Sequence, residues 1–272
     1  MTDAGDEAPL VGVRSKRRGG RVLDEILQQK RTEVAELNEA VLRNVRPSTR
    51  NLSYTLGTGR SNLSVFVELK RRDPHGADLP EDLDLVALAA QLQPAGAAGF
   101  VVATESLFWG GSRDDLIALD RHGVQLPIIR NDFVIEELQL YESRRAGADS
   151  VFLRAALLDD AHLNSALRVV ASMHMVGVIL VHDASELERA LATDVPVIAI
   201  SNRDAKTGEA RIETTLELAP HVPASRSVLS CFGITSAADV ARLREHVDGI
   251  CVGTALLCAE NPVALLGELA TS

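Results

Sequence analysis

The sequence predicts a single α/β domain built as a (β/α)8 TIM barrel with an extra N-terminal helix before the first strand. Short β-branched runs recur at VFVELK (65–70), GFVVAT (99–104), PIIR (127–130), SVFLRA (150–155), GVILVH (177–182), VPVIAIS (195–201), SVLSCF (227–232) and DGICVG (248–253). Segments with helical periodicity separate most of them, among them DLDLVALAAQLQ, IEELQLYESRRA, DDAHLNSALRVVASMHM and SELERALA. Strand–helix repetition implies right-handed parallel crossovers. Polar residues also gather at the C-terminal ends of the runs, which is where barrels of this class carry their sites. An open doubly wound sheet would need a glycine-rich fingerprint after its first strand, and VELKRRDPHG is not one.

Composition agrees. The chain has 272 residues, 46% apolar and only 3% aromatic, so the core must be packed with Val, Leu, Ile and Ala. That mixture suits parallel strands buried on both faces. Residues 1–20 are polar and unpatterned and read as a mobile arm, with 21–272 as the barrel domain. The basic run from Ser15 to Arg21 reads as a solvated part of that arm. From Val22 to Val41 apolar residues fall at helical spacing (Leu23, Ile26, Leu27, Val34, Leu37, Val41), which predicts an amphipathic helix. Asn51 to Asn62 is polar and glycine-containing and reads as a linker.

A formal charge of −10 argues against a nucleic-acid partner, because phosphate backbones demand concentrated Lys and Arg. Cys231, Cys251 and Cys258 form neither a CxxC pair nor a disulfide framework, which suggests a reducing compartment. With no long uncharged apolar stretch and no signal-like N-terminus, the sequence reads as cytoplasmic, with no membrane partner. Monomer and homodimer are both open, and a small molecule is the expected partner.

Candidate site residues follow the strand ends: Glu68 and Lys70, Thr104, Arg130 and Asp132, His182 and Asp183, and Ser201 to Asp204. Glu68 and Lys70 alternate along one strand, so both should face the barrel mouth, either as a structural ion pair or as a site for an anionic or carbonyl substrate. Gly233 after the seventh run, with Gly253 and Thr254 after the eighth, could offer backbone amides to an anion. No second His or carboxylate sits at metal-ligand spacing on an obvious helix or strand face, so no metal is expected.

These same segments resemble indole-3-glycerol-phosphate synthase, over nearly the whole chain from Val22 onward. VELKRRDPHG resembles the family's E-x-K-x-x-S-P-S, TESLFWGGS its T-E-x-x-F-F-G-G-S, and PIIRNDF its P-x-L-R-K-D-F. ISNRD resembles I-N-N-R-D, and CFGIT resembles E-S-G-I-T. The resemblance implies a cofactor-free lyase reaction that closes a pyrrole ring with loss of CO2 and water. Such a step needs an acid at the carbonyl oxygen, a partner for dehydration, and cations or amides for the carboxylate and phosphate.

Carried over by position, Lys70, Glu68 and Arg203 match family residues. Asn131 stands where the family has its acidic lysine, Leu180 where it has a glutamate, and Ser201 where it has an asparagine. Cys231 and Phe232 replace a Glu-Ser pair, and Asp73 replaces a phosphate-contacting serine. A carboxylate about 4 Å from a phosphate would cost roughly 4 kcal/mol per charge pair at an effective dielectric of about 20. Beside Lys70, which stabilises charge, Glu68, Asp132 or His182 is the proton carrier. His182 also reads as a satisfied structural histidine, and Arg130, Asp132, Arg203 and Asp204 equally as a charge network at the barrel rim. Arg154 is an inward guanidinium available to a carboxylate. Cys231 is either an inert buried thiol or a nucleophile activated by Lys70 or His182.

Three readings stay open: a diverged lyase or cyclase acting on an anthranilate- or indole-like acid in a specialised pathway, a non-catalytic barrel that binds a ligand or a biosynthetic enzyme, and an authentic synthase with relocated acid and base.

Overall fold

The computed structural model describes residues 18–57, 63–204 and 207–272. Eight parallel strands close into a barrel in chain order. They are β1 (Ser64–Leu69), β2 (Gly99–Ala103), β3 (Ile128–Asn131), β4 (Ser150–Arg154), β5 (Val176–Val181), β6 (Val197–Ser201), β7 (Ser227–Cys231) and β8 (Gly249–Val252). Pairing of Phe66 with Cys251 across β1 and β8 closes the ring. Among the described residues three helices precede β1: α1 (Arg18–Ala35), α2 (Glu39–Leu42) and α3 (Leu52–Leu56). The outer ring comprises α4 (Leu85–Leu92), α5 (Arg113–Arg121), α6 (Leu138–Arg145), α7 (Asp160–Ser172), α8 (Ala184–Leu191), α9 (Glu213–Leu218) and α10 (Ala237–Leu243). After β8 come α11 (Thr254–Leu257) and α12 (Pro262–Thr271).

Each strand is apolar throughout because both of its faces are buried. Side chains alternate across the strand, and the alternation sorts them into two cores. Phe66, Val101, Ile129, Phe152, Val178, Leu180, Val197, Ala199, Leu229, Cys231 and Cys251 fill the barrel interior. Their neighbours, such as Val67, Val102, Ile128, Val151 and Ile179, pack outward on the helices. The interior is therefore a packed plug, and the polar strand-end residues stand above it, at the C-terminal ends of the strands.

Two sequence expectations need correction. The stretch 51–62 is not simply a linker. Leu52 and Leu56, both essentially inaccessible, belong to the interior cluster and close the barrel from its N-terminal end. Asn51 caps α3 by accepting the Tyr54 amide at 3.0 Å. A five-residue helix with two inward leucines carries too short a pattern for periodicity to register. Residues 58–62 lie outside the described residues.

The helix expected through Val41 ends at Ala35, tightens through Glu36 N to Glu33 O and Leu37 N to Val34 O, and resumes as α2 after an extended Asn38. Asn competes with helix through its side chain and favours such breaks. The arm at 1–17 lies outside the described residues, and α1 begins at Arg18.

The position of α1 matters for the site. Ile26 and Leu27 pack on Phe133, Ile135 and Leu157, and partly buried Phe108 and Trp109 join them. All five lie beyond the C-terminal ends of strands, so α1 forms one wall of the mouth. Among the described residues no helix is long and apolar enough to cross a membrane.

The α3 plug yields a stability test. Leu56→Ala should cost about 2–5 kcal/mol, the usual range for a leucine truncated in a packed core, measured by urea denaturation. A loss well under 1 kcal/mol would show that the barrel does not need its lower closure.

Candidate active site

A continuous polar chain crosses the mouth above the apolar plug. It begins on β1, where Glu68 shares the inward parity of Phe66 and Lys70 follows at the strand's end. Lys70 Nζ lies 3.0 Å from Glu68 Oε2 and 3.5 Å from Asp73 Oδ2. Glu68 Oε1 accepts a hydrogen bond from Asn131 Nδ2 at 3.2 Å. Asn131 Oδ1 in turn accepts from Arg154 Nη2 at 2.9 Å. At the other end, the Thr254 hydroxyl donates to Asp73 Oδ2. Five strand ends or loops are thus connected by side chains that the sequence scatters over nearly two hundred positions.

Electrostatics fix the protonation of this chain. Burial alone would lower the Lys70 pKa, but Glu68 and Asp73 overcome it and hold the ammonium above the ordinary lysine value. Burial would likewise raise Asp73, yet the Thr254 hydroxyl and Lys70 hold its carboxyl below the usual range. Lys70 is therefore a proton donor at neutral pH, not a base.

Arg154 is the other cation of the mouth. Burial brings its pKa down to about 10, partly countered by the charges of Asp132 and Glu68. Its hydrogen-bond partners among the described residues are neutral oxygens, Asn131 Oδ1 and the Asp132 carbonyl at 3.3 Å. The guanidinium stacks 4.2 Å above the Phe133 ring. On the neighbouring strand its register partner is Leu180, which is fully buried. A planar cation with neutral partners and an aromatic floor is suited to bidentate recognition of a carboxylate.

Asp132, expected as a proton carrier, sits elsewhere. It shares the outward parity of Ile128 and Arg130 and lies behind the barrel wall. There it pairs with Lys30 of α1 at 2.9 Å and with Arg130 at 2.8 Å, and accepts the Thr104 hydroxyl. Arg130 continues to Glu142 and Ser143 of α6. Burial would raise the Asp132 pKa, but Arg130, Lys30 and Thr104 drive it far below the carboxylate range. The group is a permanent anion that ties α1 and α6 to β3.

The remaining expected residues divide between wall and turn. His182 is held by Glu186, whose Oε2 lies 3.0 Å from Nδ1 and accepts the His182 amide at 2.8 Å. Ser201 closes its own turn, its hydroxyl donating to Arg203 O at 3.1 Å, and Arg203 Nη1 donates to Gly208 O at 2.9 Å. Cys231 is completely buried beside its register partner Cys251, with its thiol on the Leu229 carbonyl. Burial and the adjacent Cys231 push the Cys251 thiol up, so it stays protonated.

Phe232 and Gly233 both have left-handed backbones, φ 65° and 68°. For a bulky residue this conformation is strained. Asn202 holds it in place by donating to Phe232 O at 3.0 Å, and the ring packs edge-on to Phe152 at 6.2 Å. Gly253 lies against Glu68, since a Cβ there would stand 2.4 Å from Oε2.

Sequence reading missed several contributors. Asn202, within the expected 201–204 cluster but given no role of its own there, is fully buried and also reaches Ser230 and accepts from Thr215, making it the hub of the β6–β7 rim. Glu105 caps the β2 loop through the amides of Leu107, Phe108 and Trp109. His75, in the β1 loop, has its pKa lowered by burial and by Arg203, which places the imidazole neutral at the mouth. Lys30 gave no signal beyond an amphipathic helix. Among the described residues there is no cluster of three or more His, Cys, Asp or Glu able to hold a metal ion.

The family model described as indole-3-glycerol phosphate synthase matches residues 23–269. The chain belongs to the indole-3-glycerol phosphate synthase family. A Polaromonas synthase of that name is 36% identical over 258 residues, covering 91% of this chain and 97% of its own. The Bordetella pertussis synthase is also 36% identical, covering 89% of this chain and 92% of its own.

Solved structures share the barrel at low identity. The 3-hexulose-6-phosphate synthase of Salmonella typhimurium superposes with a TM-score of 0.63 at 12% identity, covering 77% of this chain and 97% of its own. The tryptophan synthase alpha subunit of Legionella pneumophila gives 0.58 at 16%, covering 82% and 98%. These two show the fold alone. Membership in the synthase family accounts for a lyase scaffold whose first-strand Glu68–Lys70 pair faces the mouth.

The network behind β3 sets a pH test. A carboxyl whose folded pKa is depressed contributes stability that is complete above its unfolded value near 3.9 and is lost as pH falls toward the folded value. Asp132→Asn should cost about 3–5 kcal/mol at pH 7, as expected for one member removed from a buried charge network. Its stability should also fall less steeply than that of the parent protein below about pH 4. Parallel acid-unfolding curves would sink this account.

Proposed function

We propose that this family member is a carbon–carbon lyase or cyclase acting on an anthranilate- or indole-like acid in a specialised biosynthetic pathway, with little or no turnover of the family's own ring closure. The observation that carries it is Arg154, a half-buried guanidinium with neutral partners, standing beside Leu180 and joined through Asn131 to the Glu68–Lys70 pair.

Arg154 receives the substrate carboxylate, while the partly buried Phe232 supplies apolar surface for an aromatic ring. Lys70, held protonated, donates to a carbonyl oxygen as negative charge develops there. Glu68 orients that ammonium and is the carboxylate nearest the reacting centre. His182, held by Glu186, is the second candidate for proton transfer. Asp132 is too tightly paired to take part. A neutral amide at 131 and a leucine at 180 cannot replace an acid or a base, the thiol at 231 is buried on the Leu229 carbonyl, and loss of one such group typically costs about 10² to 10⁴ in rate.

Lys70→Gln tests the reading. It should lower kcat for the true substrate by about 10² to 10⁴ with a much smaller change in KM, followed by mass spectrometry of products. Arg154→Met should weaken anthranilate binding about tenfold to a hundredfold, the equivalent of a charge-assisted bond of about 1.5–3 kcal/mol. Formation of indole-3-glycerol phosphate by the parent protein at about one turnover per second, the low end of ordinary enzyme rates, would defeat the proposal.

The non-catalytic alternative draws on the inert inner wall of Leu180 and Cys231, both inaccessible. Tight binding of an aromatic acid with no product from any metabolite of a cell extract would favour it.

A further inference from the structure

The β8 end of the mouth, where Gly253 and Thr254 open α11, is already lined by anions belonging to the chain. The Thr254 hydroxyl donates to Asp73 Oδ2. The other oxygen of that carboxylate accepts the His75 amide at 2.7 Å, which curls the β1 loop over the site. Glu68 presses on Gly253 from beneath, close enough that a Cβ at 253 would stand 2.4 Å from its Oε2. One ammonium, Lys70, is shared between the two carboxylates. Counting Glu68, Asp73 and Lys70 together, this pole carries a net charge of −1.

The loop that holds Asp73 here is tied down. Arg71 pairs with Asp115 of α5 at 2.6 Å, the amides of Arg71 and Arg72 donate to the Trp109 carbonyl, and Arg72 reaches the carbonyls of Ser106 and Leu107. Of the neighbouring cations, Arg203 reaches the β1 loop, where its charge acts on His75, and Arg154 lies farther off. Arg203 donates to Gly208 O, and Arg154 stands on β4 over Phe133. On the β7 side the adjacent ring of Phe232 turns to Phe152.

We propose that the Asp73 carboxylate serves as a built-in anion at the Gly253–Thr254 end, and that the site therefore takes an aromatic acid whose side arm is unphosphorylated and ends in hydroxyl groups. The inference rests on the reading of the site as one for an anthranilate- or indole-like acid and narrows its substrate class. The mouth is then bipolar. A carboxylate goes to Arg154, and hydroxyl groups of the arm meet the Thr254–Asp73 pair, whose carboxylate already holds the Lys70 ammonium. A phosphate dianion would have to break the Asp73–Thr254 contact, compete for Lys70, and still face Glu68. Juxtaposed like charges of this kind act as discrimination against the wrong ligand.

The test is calorimetric titration of the full chain, in phosphate-free buffer, with anthranilate carrying a polyhydroxylated N-alkyl arm and with the terminal phosphate monoester of the same compound. The parent protein is expected to bind the unphosphorylated compound more tightly by about tenfold or more. Asp73→Ser is expected to reverse that preference. Phosphorus NMR of inorganic phosphate should show line broadening with Asp73→Ser and none with the parent protein.

If the variant does not fold, the ratio measured on the parent protein decides alone. A smaller preference, or a preference for the ester, overturns the inference while leaving the proposed lyase function standing. Failure of both aromatic acids to bind removes the proposed function, and this inference with it.

Discussion

One buried ammonium organises the mouth of this barrel. Lys70 is almost inaccessible and stands between two carboxylates. A charge in that position is tolerated only because Glu68 and Asp73 compensate it, and they in turn would repel each other without it. The remaining polar contacts follow from that triad. The second oxygen of Glu68 orients the Asn131 amide, whose carbonyl orients Arg154. Asp73 draws Thr254 and the β1 loop inward. The geometry of the site thus propagates outward from a single strand end.

A second charge network stands back to back with the first across β3. Asn131 faces the mouth, while Arg130 and Asp132 on either side face the helices. Through Lys30 and Glu142 this outer network fastens α1 and α6 to the strand that carries Asn131. The wall supplied by α1 therefore depends on an ion pair that never meets a ligand. Separating a structural network from a functional one by a single residue of pleat gives each its own electrostatic environment, with Asp132 held as a permanent anion and Arg154 left with neutral partners.

Much of the fold was legible because parallel strands buried on both faces read as uninterrupted apolar runs, and the eight runs align with the eight strands to within a residue or two. The α3 plug was illegible because two leucines in a five-residue helix make no pattern. The break between α1 and α2 was hidden because Leu37 and Val41 keep the helical spacing across it. In the site, the Glu68–Lys70 pair was readable from alternation alone. Asp132 was misplaced because Arg-x-Asp at a strand end looks the same whichever face it presents, and only the pleat assigns it.

The amino-acid sequence by itself determined the barrel, its extra helix and its family, since these rest on local periodicity and on ordered motifs along one chain. It also determined which chemical groups are present at each strand end. Which of those groups meet was decided by the tertiary structure. Barrel closure brings Thr254 to Asp73, and strand register sets Arg154 beside Leu180. Charges interact through space over a few ångströms, and linear order does not record that distance.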